Sequence, residues 1–271
     1  MSERIAFIGG GNMASAIIGG LIKQGLPPSQ IDVVEPFAEA RDKLNTNFGL
    51  QAQAAPGAFL SQAALVVWAV KPQTFKEAAL PVRPHTLNAL HLSVAAGIRS
   101  ASIARWLDTE RVVRAMPNTP ALIGRGITAL FGRPGVTSTD RDWVGQVIAP
   151  TGEFLWLDAE EQLDAVTALS GSGPAYMFYF MEAMTTAGIE MGLSREQAHR
   201  LAVATFIGAG ELARSANESP KVLRERVTSK GGTTYAAISS MEEDDIQGQF
   251  INAIFAARQR ARELGDEFGD A

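Results

Sequence analysis

Arg4-Ile5-Ala6-Phe7-Ile8 runs without a break into Gly9-Gly10-Gly11-Asn12-Met13-Ala14, and this junction decides the fold. The first five residues are mostly apolar, as a strand buried on both faces must be. The next six fit G-x-G-x-x-G/A and open a helix that reads through Ile22. Gly9 suits the tight turn, Gly11 the close approach of a pyrophosphate, and Ala14 the packing of helix on strand. A lone match of this kind is weak. Here the strand before it and the helix after it both agree with a dinucleotide-binding start.

The pattern repeats downstream. Ile31–Val34, Ala64–Val70, Leu90–Ala95 and Arg111–Ala115 read as further buried strands joined by helical stretches, which implies βαβ units. Thr128–Phe131 and Glu153–Leu157 complete the sheet around a helix near 139–148. After Asp158 strand signals stop. Stretches 160–169, 174–191, 194–215, 220–228, 233–242 and 245–264 read as helices, with Ser194 and Gln197 forming a capping-box start. The expectation is an α/β chain of two domains: an N-terminal Rossmann-type dinucleotide-binding domain over 1–157, then an all-α domain over 158–271. The acidic, glycine-containing end from Gly265 to Ala271 is expected to fray.

The helix over 174–191 carries Tyr176, Met177, Phe178, Tyr179, Phe180, Met181, Met184 and Ile189 around nearly its whole circumference. A helical domain of that size has little with which to cover it, so a dimer with interlocked helices is expected. The alternative is the central helix of a monomeric bundle.

Composition excludes several classes. The chain has 271 residues, 46% of them hydrophobic, a net charge of −5 and no cysteine. Its pI is about 5.3 and its mean hydropathy +0.04. An acidic chain with no basic stripe argues against nucleic acid. Absence of cysteine removes disulfides, thiol nucleophiles and thiolate metal sites, and no metal site is expected. Met1 leads straight into a strand-like run with no signal-peptide pattern, and the apolar segment 175–191 is interrupted by Glu182, Thr185, Thr186 and Glu190. A cytoplasmic protein that does not enter a membrane is expected.

Ligands of open α/β sheets bind at the carboxyl edge of the strands. Glu35 ends the second strand, where an acid accepts a hydrogen bond from a ribose 2′-OH. It reads equally as a solvated helix-entry residue before Pro36, and Arg41 lies close by. Val70, Lys71 and Pro72 follow another strand, with Lys71 able to reach phosphate or ribose, or else an ordinary exposed lysine. Ala95, Ala96 and Gly97 leave space for a nicotinamide ring. Asn118, in Met116-Pro117-Asn118-Thr119-Pro120, is placed to bond a carboxamide or to serve as a turn residue.

In the second half, Ser170-Gly171-Ser172-Gly173-Pro174-Ala175 reads as a compact turn, for ligand binding or for tight packing. Val227-Thr228-Ser229-Lys230-Gly231-Gly232-Thr233-Thr234 brings two glycines and two hydroxyls to a helix start. Backbone N–H groups there suit a carboxylate. The Thr234 hydroxyl reads as a substrate hydrogen-bond donor or as a helix cap.

These pieces together closely resemble the pyrroline-5-carboxylate reductase family. The resemblance runs nearly end to end and rests on FIGGGNMA, AVKP, AAGI, MPNTP, DAVTALSGSGPAY and TSKGGTT, in that order. It implies a helical dimerisation and substrate-binding domain, a homodimer that often associates into rings of five dimers, NADPH or NADH as cofactor, and 1-pyrroline-5-carboxylate as substrate. Gly9, Gly11, Asn12, Met13, Ala14, Ala69, Val70, Lys71, Pro72, Ala95, Ala96 and Gly97 match its cofactor site. Ser229, Gly231, Gly232, Thr233 and Thr234 match its substrate loop, with Thr234 implied at the imine nitrogen. Glu160 and Arg226 align loosely with ligand-touching positions of some relatives. Lys230 replaces the usual proline, and Glu35 stands where many members carry a neutral or hydroxyl residue. Rival readings are a β-hydroxyacid dehydrogenase, an imine reductase, or a dinucleotide-sensing dimer without chemistry.

Overall fold

Residues 3–269 are described by the computed structural model. Their packing groups them into two units: one runs to Ser172 and takes in the chain again from Ala257, the other spans Gly173–Ala256.

The first unit is built on strands β1 (Arg4–Ile8), β2 (Ile31–Val34), β3 (Ala63–Trp68), β4 (Leu90–Ser93), β5 (Val112–Met116), β6 (Gly126–Gly132) and β7 (Gly152–Trp156). Among the described residues they form one seven-stranded sheet in the order β2-β1-β3-β4-β5-β6-β7. The first five strands run parallel because helices α1 (Asn12–Lys23), α2 (Ala38–Phe48), α3 (Phe75–Val82) and α4 (Ser100–Leu107) supply the crossovers. Between β5 and β6 lies only a 3-10 turn, Thr119–Ile123, so the chain reverses and the two pair antiparallel. Helix α5 (Ser138–Ile148) then returns β7 parallel to β6.

Alternate residues of each strand feed opposite faces. Ile5, Phe7, Leu65 and Val67 pack with Ile17 and Leu21 of α1, while Ala6, Ile8, Val66 and Trp68 pack with Phe75 and Trp106. Burying each large side chain contributes about 1.5–3 kcal/mol. Both faces are therefore cores, as the continuous apolar runs require.

Two strands stop earlier than their sequence patterns. Ala64–Val70 and Leu90–Ala95 were the expected spans, yet β3 ends at Trp68 and β4 at Ser93. Trp68 pairs with Ile8 on one side and Ser93 on the other. Beyond Ile8 the neighbouring chain turns away at Gly9, so Ala69–Lys71 and Ala95–Gly97 leave the sheet as loops at its carboxyl edge. Because β2 and β3 flank β1 on opposite sides, that edge is also the topological switch point.

The expected fraying of the end is corrected. Helix α11 (Ile246–Gly269) continues to Gly269, whose carbonyl accepts hydrogen bonds from Ser102 Oγ at 2.6 Å and Arg105 Nη2 at 3.1 Å. Asp270 and Ala271 lie outside the described residues.

The second unit holds α7 (Gly173–Glu190), α8 (Arg195–Ser215), α9 (Pro220–Arg226), α10 (Thr233–Glu243) and the first part of α11. Ser194 and Gln197 form the expected capping box. A Cβ on Gly188 would lie 2.8 Å from Ala198 Cβ, so the glycine lets α7 and α8 approach closely. Tyr176 and Phe180 each meet Phe250 edge to face. That covers part of α7 only: Phe178 is 58% and Tyr179 70% exposed. No helix among the described residues is long and apolar enough to cross a membrane.

Candidate active site

At the carboxyl end of β1 each glycine has its own reason. Gly9 has φ +95°, donates its N–H to Val34 O at 2.8 Å, and has no room for a side chain: a Cβ would sit 2.5 Å from Ala69 O. A Cβ on Gly10 would strike Leu44 Cδ1 at 2.6 Å. Gly11 differs, because a Cβ there would meet nothing within 4 Å. It is the N-cap of α1, makes no side-chain cap, and faces open space. Asn12 is exposed at the first turn, Met13 packs against the core, and Ala14 is fully buried. Unpaired N–H groups at the head of a twelve-residue helix, with space in front of them, fit a dinucleotide pyrophosphate.

Glu35 is not a solvated residue. It is 6% exposed, and its carboxylate accepts one backbone N–H on each oxygen: Gly10 on Oε2 at 2.8 Å and Phe37 on Oε1 at 2.9 Å. Arg41 Nη1 donates to the carbonyls of Glu35 and Pro36 at 2.9 and 2.7 Å. Lys71 is exposed at the same edge, leading into the 3-10 turn Pro72–Thr74. Ala69 donates its N–H to Ile8 O at 2.8 Å, and Val70 Cγ1 would lie 3.3 Å from a Cβ on Gly9.

Two residues of this edge have neighbours within the protein. Ala95 and Ala96 are small and sit on the loop after β4, but Gly97 has a different neighbour from a cofactor ring. With φ +74°, it would place a Cβ 3.2 Å from Leu264 Cβ and near Phe268, so its smallness admits α11. The Asn118 amide has a partner at each end. Its Oδ1 accepts the Ile127 N–H at 3.0 Å and its Nδ2 donates to Ser170 O at 3.2 Å.

Ser170 and Gly171 belong to a π-helical turn, Thr167–Gly171, that follows the short helix α6 (Gln162–Val166). A Cβ on Gly171 would lie 2.5 Å from Met116 Cε. The missing side chain of Gly171 thus lets Met116, the last residue of β5, lie against this turn, which is the packing reading at that glycine.

Glu160 is committed within the protein. It accepts from Ser100 N at 2.6 Å, Ser100 Oγ at 2.5 Å and Arg114 Nη1 at 2.6 Å. Burial pushes its carboxyl up, but the Arg114 charge and the Ser100 bonds outweigh this and leave it below the usual range. Burial lowers the Arg114 guanidinium, against the pull of Glu160. Arg226 pairs with Glu218. Sequence reasoning missed this buried network because its partners, 46 and 60 residues apart, carry no local pattern.

In the second unit, α9 closes with Thr228 Oγ1 donating to Arg224 O at 2.6 Å. Gly231 then takes φ +79° and Gly232 donates its N–H to Ser229 O at 3.0 Å. The positive φ at Gly231 requires glycine there, and a Cβ on Gly232 would lie 2.9 Å from Ser229 Oγ, so that side chain would have to shift. Gly232 is the N-cap of α10 and offers no side chain to it. The first N–H groups of α10, on Thr233, Thr234 and Tyr235, are therefore uncapped. Thr234 lies inside the first turn, not at the cap, which removes the helix-cap reading of its hydroxyl. Lys230 is exposed beside this turn.

Two families match separate stretches of the chain. The family described as pyrroline-5-carboxylate reductase dimerisation matches residues 160–264, and that described as NADP oxidoreductase coenzyme F420-dependent matches 4–97. A pyrroline-5-carboxylate reductase of Pseudomonas aeruginosa is 45% identical over 270 residues, covering 99% of both chains. The chain belongs to the pyrroline-5-carboxylate reductase family. The Arabidopsis thaliana reductase is 36% identical over 265 residues, with 97% of this chain and 96% of that one covered. A solved pyrroline-5-carboxylate reductase from Coxiella burnetii superposes with TM-score 0.90 at 36% identity, covering 97% of this chain and 99% of the other. The Plasmodium falciparum enzyme, solved with NADP bound, gives 0.87 at 26% identity, covering 97% and 98%.

Membership of the pyrroline-5-carboxylate reductase family fits the geometry of each unit. The first unit carries a Rossmann-type nucleotide edge. The second lies within the stretch matched by the dimerisation family and carries the uncapped start of α10.

Proposed function

We propose that this chain reduces 1-pyrroline-5-carboxylate to L-proline with NADPH or NADH, the last step of proline biosynthesis. The uncapped start of α10 beside Thr234 carries the reading, together with the open helix head at Gly11. When bound, NAD(P)H would supply the hydride that the C=N carbon accepts, and the proton on the ring nitrogen would come from solvent. The backbone N–H groups of Thr233, Thr234 and Tyr235 hold the substrate carboxylate at the positive end of the helix. The Thr234 hydroxyl hydrogen-bonds the ring nitrogen. Ser229, Gly231 and Gly232 shape the turn that presents these groups. A cyclic imine is protonated more easily than a ketone, so no strong acid is needed from the protein.

At the nucleotide edge, Gly9, Gly11, Asn12, Met13 and Ala14 cradle the pyrophosphate. Ala69, Val70, Lys71, Pro72, Ala95 and Ala96 line the path toward the nicotinamide. The name of the family matched over 4–97 and the NADP-bound Plasmodium relative support a phosphorylated dinucleotide. The matched dimerisation region and the exposed aromatic residues of α7 support a homodimer that buries them, with association into five dimers as the larger assembly. The cytoplasm is its place of action. Initial-rate measurement with pyrroline-5-carboxylate and each cofactor tests the proposal: turnover of the pyrroline is expected, and its absence with both cofactors overturns it.

A further inference from the structure

We infer that Arg41 reads the 2′-phosphate of NADP, and that Glu35 holds the glycine loop instead of a ribose. This rests on the cofactor reading above. An acid that selects NAD must turn carboxylate lone pairs outward to the ribose 2′-OH. Glu35 turns inward: each oxygen is engaged by a backbone N–H, one from Gly10 in the glycine turn and one from Phe37 at the head of α2. The residue is buried, and a Cβ on Gly10 would touch its side chain. Its role is to fasten the β1–α1 turn to the end of β2.

The opposite charge occupies the mouth. Arg41, half-buried on the first turns of α2, is anchored through Nη1 alone to the carbonyls of Glu35 and Pro36 at the end of β2. That geometry fixes the guanidinium and leaves its Nη2 and Nε edge for a ligand. A planar guanidinium with one nitrogen already anchored is suited to a phosphate group by charge and by its paired donors. The nearby acid Glu39 is itself paired with Lys43 at 2.7 Å. Arg41 therefore sets a fixed positive group at the end of β2, although a glutamate stands at the position that favours NAD.

Calorimetric titration of the full chain with 2′,5′-ADP and with 5′-AMP, which differ only in the 2′-phosphate, separates the roles. The wild type is expected to bind 2′,5′-ADP more tightly. Arg41→Ala should weaken 2′,5′-ADP by roughly tenfold or more, the scale of one lost charge-assisted bond, with 5′-AMP changed less than about twofold. Arg41→Lys should recover part of the loss. Glu35→Gln should weaken both ligands together and leave their ratio unchanged. Equal losses for both ligands in Arg41→Ala, no preference in the wild type, or a Glu35→Gln ratio shifted tenfold toward 2′,5′-ADP would each overturn the inference. Melting curves confirm that the variants fold. Pyrroline turnover is measured separately, so loss of the reductase reading leaves these outcomes interpretable.

Discussion

The Asn118 amide and the Ser170 carbonyl are joined by a 3.2 Å hydrogen bond, and the same side chain accepts the Ile127 N–H at 3.0 Å. One residue thus ties the loop after β5 to the π-helical turn and to the start of β6. Asn118→Ala leaves the Ile127 N–H and the Ser170 carbonyl unpaired at a half-buried position, at a cost of about 1–3 kcal/mol. Asn118→Asp keeps an acceptor for Ile127 but sets a carboxylate against the Ser170 carbonyl. Denaturant unfolding should show both variants destabilised and Gln no full substitute. A loss below about 0.5 kcal/mol in Asn118→Ala would mean that the tie carries no stability.

Gly9 and Gly11 should respond in opposite ways. Gly9→Ala meets the Ala69 carbonyl and a left-handed backbone, so it should destabilise the fold itself. Gly11 has φ −71° and open space, so Gly11→Val should fold normally yet fill the room proposed for pyrophosphate. Fluorescence titration with NADPH should show binding collapse at near-native melting temperature. Unchanged affinity would exclude this turn as the cradle.

His91 makes stability depend on pH. Burial drives its pKa down to about 4 from 6.5, with Arg111 adding to the fall and the Thr86 backbone opposing it. Its Nδ1 accepts from Trp68 Nε1 at 3.1 Å, which needs the neutral ring. The unfolded chain takes up this proton more readily than the folded one. The contribution is complete above pH 6.5 and is lost as pH falls toward 4, to at most about 3 kcal/mol. Unfolding free energies of wild type and His91→Leu, measured across that window, should converge as pH falls. Parallel curves would show that His91 does not titrate with folding.

Legibility of the chain divides by range. Strands such as β1 and β2 were readable because both faces are buried and the apolar run is continuous. The turn at Gly9 was readable because its positive φ demands glycine. Interactions over long separations were not. Nothing in the run around Glu35 shows that its carboxylate turns back to Gly10, and Gly97 is small for Leu264 on a helix near the chain end. Asn118 read both as a ligand residue and as a turn residue, because the two have the same sequence surroundings. The ends of β3 and β4 were set by where the neighbouring chains turn away, which a strand's own residues do not encode.

Thr234 gives the sharpest test of the chemistry. It sits in the first turn of α10 behind a glycine cap, so its hydroxyl is not needed to start the helix. Thr234→Ala should therefore change stability by less than about 0.5 kcal/mol. On the proposed reading it removes a donor to nitrogen while keeping the backbone N–H groups assigned to the carboxylate. If the bond strengthens as charge shifts in the transition state, its loss costs on the order of 2–4 kcal/mol. A substrate that arrives already protonated reduces this, so kcat should fall roughly ten- to a thousandfold. NADPH affinity should stay near wild type, because the substitution lies on the substrate loop. Thr234→Ser keeps the donor and should retain much of the rate. A folded Thr234→Ala enzyme that turns over pyrroline-5-carboxylate at the wild-type rate would move the proton-side role to Thr233, Ser229 or water.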